Sequence, residues 1–169
     1  MATEVASSFD TTKPIVRRKQ LVATNHAGMM TEIDFGEYGY FATDEPEAHG
    51  GTGEGPSPLQ TVLGALCGCE AVTFNRTAAE YDFSYDGIVF EAEFTIDIRG
   101  RLGVRGVRPH FQTIRVEAIV TTSETEERLR EVVEETETRC PVFNLVTDAG
   151  VKTEMRWIRK LPDSPAGSG

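Results

Sequence analysis

The longest apolar-periodic stretch of the chain runs from Gly55 to about Tyr81, GPSPLQTVLGALCGCEAVTFNRTAAEY. Leu59, Val62, Leu66, Cys69 and Thr73 recur at spacings of three and four, with Leu63 and Ala65 widening the stripe. That is the signature of a helix with most of its surface buried. Ser57 is a good N-cap and Pro58 suits the first helical position, where its missing N–H costs nothing. Cys69 falls on the apolar stripe.

Upstream, IVRRKQLVATN and MMTEIDFG read as strands joined by a turn over Asn25 to Gly28, and YGYFAT as a third after a turn at Gly36 to Gly39. This predicts a three-stranded antiparallel start. The segment TDEPEAHGGTGEG lacks both the Gly-Lys-Ser/Thr ending of a P-loop and the order of a dinucleotide fingerprint, so it reads as a flexible loop into the helix.

Downstream, Phe90, Ala92, Phe94, Ile96 and Ile98 alternate against Glu91, Glu93, Thr95, Asp97 and Arg99, and TIRVEAIVTT places Ile114, Val116, Ala118 and Val120 inward. The two read as a long hairpin with a solvated tip carrying Arg99, Arg101, Arg105 and Arg108. Ser123 with Glu126 forms a capping-box pattern ahead of TEERLREVVEETETR, a surface helix whose apolar stripe is Leu129, Val132 and Val133. Pro141 marks one more helix start, and VKTEMRWIRKL alternates as a last strand. The order β-β-β-α-β-β-α-α-β predicts an α+β fold with antiparallel sheet around a buried central helix. Residues 13–161 form the expected domain, with disordered tails at 1–12 and 162–169.

The totals narrow the function classes. A formal net charge of -10 argues against nucleic-acid binding, which needs cations to neutralise phosphate. No apolar run approaches membrane-spanning length and the first residues lack a signal-peptide pattern, so a cytoplasmic protein is expected. Three cysteines are too few for a disulfide scaffold, which leaves each as an inert core thiol or a redox group. His26, His49 and His110 lie singly without ligand spacing, and Cys67 and Cys69 project roughly 200° apart on a helix, so no metal site is expected.

Cys140 sits at or next to the N-cap before Pro141, with Arg139 beside it. Unpaired N–H groups and a cation there would favour thiolate; equally, a small residue would simply fit a turn between helices. Cys69, mid-helix on the stripe, should be made less acidic by desolvation.

Gly-Pro-Ser-Pro opening an apolar helix that reaches Ala-Leu-Cys-Gly-Cys, then a strand hairpin, then an acidic helix ending in Arg-Cys-Pro-Val, resembles the OsmC and organic hydroperoxide resistance family over about residues 13–161. The Asp-Glu-Pro and Gly-Gly-Thr-Gly-Glu-Gly elements upstream are similar to its OsmC-like branch. The resemblance implies an intertwined homodimer in which curved sheets wrap two central helices. It also implies a peroxidase: Cys69 matches the peroxidatic cysteine and Cys140 the resolving one. Cys69 would reduce an organic hydroperoxide, become a sulfenic acid and condense with Cys140, and an external dithiol would restore both. No cofactor is called for.

In the family a glutamate early in the helix and an arginine in an N-terminal strand or turn support the thiolate. Leu59 and Gln60 occupy the matching helix positions, and Asn25 and His26 the turn, leaving Gln60, His26, Arg17 (or Arg18) and Arg139 as candidate supporting residues. The alternative reading is a non-catalytic member that binds a small apolar or thiol ligand at the dimer interface. Redox sensing through the same cysteine pair ranks third.

Overall fold

The computed structural model describes residues 10–163, so most of both expected tails lies outside the described residues. The chain divides into two compact units, one ending at Gly64 and one beginning at Ala65.

In the first unit, β1 (Val22–Asn25), β2 (Thr31–Asp34) and β3 (Tyr40–Thr43) form an antiparallel sheet in that order, as the alternation predicts. β1 is shorter than the run IVRRKQLVATN because its partner ends early. Val22 pairs with Asp34, and the chain then coils into the 3-10 turn Gly36–Tyr38, leaving residues before Val22 no ladder to join. The β1–β2 turn is held by Asn25, whose side-chain amide donates to the carbonyls of Gly28 (3.2 Å) and Met30 (2.7 Å).

The glycine-rich loop is a built structure rather than the expected flexible one. It closes around the fully buried carboxylate of Asp44, whose Oδ2 accepts from the Thr52 hydroxyl (2.7 Å), the Thr52 N–H (2.8 Å) and the Glu54 N–H (3.3 Å). These bonds, the Thr52 hydroxyl first, hold Asp44 well below the usual carboxylate range, at about 2. Gly51 is required by close approach: a Cβ there would stand 1.8 Å from the Glu45 carbonyl oxygen. The loop's donors turn inward onto a side chain, so they are not free to cradle a phosphate.

Helix α1 spans Pro58–Glu80. Its start is a reciprocal capping box: Ser57 Oγ accepts from the Gln60 N–H (3.2 Å), and Gln60 Oε1 accepts from the Ser57 N–H (2.9 Å).

In the second unit β4 (Gly87–Ile96) and β5 (Phe111–Thr121) form the expected antiparallel hairpin, with the one-turn helix α2 (Ile98–Arg101) in its connection. Ile114, Val116, Ala118 and Val120 are all buried, as their alternation requires. Helix α3 (Glu126–Arg139) buries Leu129, Val132 and Thr136. Its cap is Thr125, accepting from the Arg128 N–H at 3.3 Å, and not Ser123. Helix α4 (Pro141–Asp148) follows with Cys140 as N-cap, then β6 (Lys152–Lys160).

The expectation of curved antiparallel sheets wrapping the helix is overturned. Among the described residues the strands form two open sheets of three strands, and the second is mixed, because β6 pairs with β5 in parallel. The cause is the connection: α3 and α4 together make a crossover that returns the chain to the same end of the sheet, so β6 runs in the direction of β5.

The core of this unit gathers Phe74, Ala78, Phe83, Val120, Leu129 and Val132, with Tyr81, Tyr85, Ile88, Val133 and Trp157 packed against it. Phe74 is its hub, stacked on Trp157 (centroids 5.0 Å, planes 16° apart) and meeting Tyr85 edge-on at 5.1 Å. The hub fixes the rotation of α1. Leu63, Leu66, Glu70, Phe74, Thr77 and Ala78 are the buried line, while Val62 and Val72 are exposed. The stripe is thus rotated by about one position from the predicted one, and Cys69 is half-buried at its edge.

Candidate active site

The rotation that turns Phe74 into the core also buries Glu70 one helical turn before it, with none of its surface exposed. Opposite stands the junction of α3 and α4, where Pro141 starts a new helix and forces a break after Arg139. Cys140 occupies the break, also fully buried. The break is fastened by Asn144, whose side-chain amide donates to the carbonyls of Cys140 (2.8 Å), Glu137 (3.0 Å) and Thr138 (3.2 Å). The Cys140 carbonyl also accepts from the Asn144 backbone N–H (3.0 Å), while those of Glu137 and Thr138 lie in the last turn of α3, where carbonyls lack helical partners.

This junction brings the Cys140 thiol beside the Cys69 thiol and the Glu70 carboxylate, near enough for both to act on its ionisation. All three cysteines are free thiols. Neither Glu70 oxygen has a well-formed hydrogen bond; the Cys140 thiol faces the carboxylate without completing one. Glu137, from the last turn of α3, adds a second carboxylate and accepts from the Trp157 indole N–H at 3.1 Å, tying the site to the aromatic core. Two thiols and two carboxylates lie together, yet among the described residues no three acidic, histidine or cysteine side chains are placed to hold a metal ion.

Desolvation dominates the electrostatics. It pushes Glu70 up to about 7, with the charge of Glu137 adding to the shift and the Cys140 thiol opposing it. It pushes Cys140 up to about 12; the Phe143 N–H at the start of α4 pulls the other way, but Glu70 and Cys69 reinforce the rise. The thiolate-favouring reading of the N-cap position therefore fails: the helix end is present, but burial beside a carboxylate outweighs it. Cys67, half-buried, is also raised by desolvation.

A stability signature follows. Glu70 binds its proton more tightly folded than unfolded, so its contribution is fully present below pH 4.5 and is lost as pH rises through about 7. The shift corresponds to roughly 3 kcal/mol. Between pH 4.5 and 7.5, Glu70→Gln should gain stability relative to the parent by up to about that amount. Urea unfolding across that range checks it; parallel pH curves for the two proteins would contradict the assignment.

The family of OsmC-like proteins matches residues 51–156, which contain all four site residues. The chain belongs to the OsmC/organic hydroperoxide resistance family. Solved structures share the fold of this OsmC-like protein. An OsmC-like protein from Mycoplasma pneumoniae superposes with a TM-score of 0.72 at 15% identity, covering 88% of this chain and 100% of that one. An organic hydroperoxide resistance protein OsmC from Legionella pneumophila gives 0.61 at 14% identity, over 86% and 99%. The organic hydroperoxide resistance protein OhrB of Bacillus subtilis gives 0.56 at 19% identity, over 85% and 98%. No curated relative matches the sequence.

Of the residues singled out in the OsmC-like sequence, the structure brings Cys69 and Cys140 together. Arg139 is next to Cys140 in sequence but spends its guanidinium on Glu80 (2.6 Å) and Glu135 (2.5 Å). Gln60 is the cap partner of Ser57. His26 is exposed at the β1–β2 turn, and Arg17 is exposed in the segment before β1. Glu70 and Glu137 are the members that sequence reasoning missed. The available signal was the line Leu63, Leu66, Glu70, Phe74, Thr77, in which a carboxylate interrupts an apolar helix face.

Proposed function

We propose that the protein is a thiol-dependent peroxidase that reduces organic hydroperoxides through Cys69 and Cys140. The observation that carries the reading is the placement of a half-buried free thiol, Cys69, beside a fully buried one, Cys140. Cys69 keeps access for a substrate and attacks the O–O bond, becoming a sulfenic acid as the alcohol leaves. Cys140, shielded from solvent, attacks the oxidised sulfur and releases water, and an external dithiol exchanges with the disulfide to restore both thiols. Two sulfurs carry the two electrons, so the cycle uses no cofactor. Related folds named as organic hydroperoxide resistance proteins support the substrate class.

The reading takes a second copy of the chain as partner and a cytoplasmic setting, where dithiols keep cysteines reduced. Among the described residues no helix is long and apolar enough to cross a membrane.

The test is hydroperoxide consumption by the reduced protein, with cumene hydroperoxide as substrate and dithiothreitol as reductant. Sustained consumption that stops when dithiothreitol is withheld is expected; a rate no higher than buffer would overturn the reading. The second reading, a non-catalytic binder of a small apolar or thiol ligand, draws on the commitment of Arg139 to Glu80 and Glu135, which leaves that cation away from the thiols. It predicts a ligand retained through purification and no disulfide after peroxide.

A further inference from the structure

The proposed cycle has a chemical gap at its second step. Cys140 must be a thiolate to attack sulfur, yet it is wholly buried and its ionisation is opposed by its surroundings. The opposition has a specific source besides burial: a thiolate there would stand beside the carboxylate of Glu70 in a place water does not reach. A second negative charge in that space is what the site resists. Moving a proton from Cys140 to Glu70 avoids it, since one charge is relocated and none is added.

Resting on the peroxidase reading, we propose that Glu70 is the general base for the resolving cysteine, taking the proton of Cys140 as Cys140 attacks the Cys69 sulfenic acid. The Cys140 Sγ–Cys69 Sγ bond forms and the Cys69 S–O bond breaks. Cys140 sulfur is oxidised, Cys69 sulfur is reduced from the sulfenic state, and the departing hydroxide takes up the proton held by Glu70 and leaves as water. The geometry selects this step over the first one, because the carboxylate faces Cys140.

Glu70 is also an unsatisfied group in a core where buried polar atoms normally have partners. Both of its oxygens lack a completed hydrogen bond in a residue with no exposed surface. Asp44 in the other unit leaves Oδ1 without a partner but holds three hydrogen bonds on Oδ2, whereas Glu70 has none on either oxygen. Among the described residues the titratable groups around Glu70 are Cys140 from the α3–α4 junction, Glu137 from α3, and Cys67 and Cys69 on its own helix. Glu137 in turn is held by Trp157 of β6. Its charge disfavours ionised Glu70, which strengthens Glu70 as a base and keeps it able to exchange protons near neutral pH.

Single-turnover kinetics test this. Reduced protein is mixed with one equivalent of cumene hydroperoxide and quenched. Trapped sulfenic acid and disulfide are counted by intact mass, giving separate rates for the two steps. In Glu70→Gln the ratio of the second rate to the first should fall by about 10²-fold, and Glu70→Asp should recover part of it. The parent's second step should rise with pH and level off near neutrality. That of Glu70→Gln should keep climbing about tenfold per pH unit into the alkaline range. Glu137→Gln keeps the carboxylate of Glu70 and should move the parent's levelling-off to lower pH, a shift that a structural role for Glu70 would not produce. Sulfenic acid formed in parent and Glu70→Gln alike, with the same second-step rate and pH profile, would overturn the role of Glu70 alone. A parent that forms no sulfenic acid would overturn the peroxidase reading and this inference with it.

Discussion

Replacing Cys69 by serine should abolish hydroperoxide reduction, a loss on the order of 10³-fold or more, because a hydroxyl is neither ionised nor polarizable enough to attack an O–O bond. The order of the two cysteines follows from burial. Cys140 has no exposed surface and cannot meet a hydroperoxide first, whereas Cys69 is half-buried at the edge of the α1 stripe. Cys67 cannot substitute, since it projects roughly 200° away from Cys69 around the helix. Cys140→Ser should behave differently: it should reduce one equivalent of hydroperoxide, hold the sulfenic acid, and pass to sulfinic acid in excess peroxide. Intact mass after one and after many equivalents separates the two variants. Sustained turnover by either would contradict the assignment of roles.

Phe74→Ala should unfold the second unit under mild conditions, at a loss of about 3–5 kcal/mol. Phe74 is fully buried and meets Trp157, Tyr85 and Phe83, so its removal leaves a cavity that three other rings border. The effect reaches the site. Phe74 stands one turn beyond Glu70 on α1, and Trp157, its stacking partner, donates to Glu137. Urea denaturation should show a lower midpoint with the slope retained. A loss below about 1 kcal/mol would mean that this cluster is not the hub of the core.

Local chemistry made much of this legible. Ser57 and Pro58 announced the start of α1, and Gln60 completes the cap they predict. The strict alternation of β5 gave its buried face residue by residue, and Pro141 placed Cys140 at the cap of α4. What could not be read depended on distant parts of the chain. That β6 runs parallel to β5 follows from the crossover through α3 and α4, while an alternating strand looks the same in either direction. The facing of α1 is masked in the sequence because Glu70 makes the buried stripe look polar. The choice was made by Phe74 and its aromatic neighbours on β6 and in the segment after α1.

The site shows the same division. A thiol at a helix N-terminus suggests an acidic thiol, and sequence cannot reveal that a carboxylate from another helix will be buried against it. The glycine-rich loop likewise looked mobile because its organising residue, Asp44, lies several positions upstream of Thr52 and Glu54.

The most direct measurement is the free-thiol count and intact mass of reduced protein after one equivalent of an organic hydroperoxide, followed by peptide mapping. The account predicts loss of two thiols and two hydrogens, with the disulfide joining Cys69 to Cys140 and Cys67 left free. A protein that keeps all its thiols, or forms a disulfide through Cys67, would contradict it.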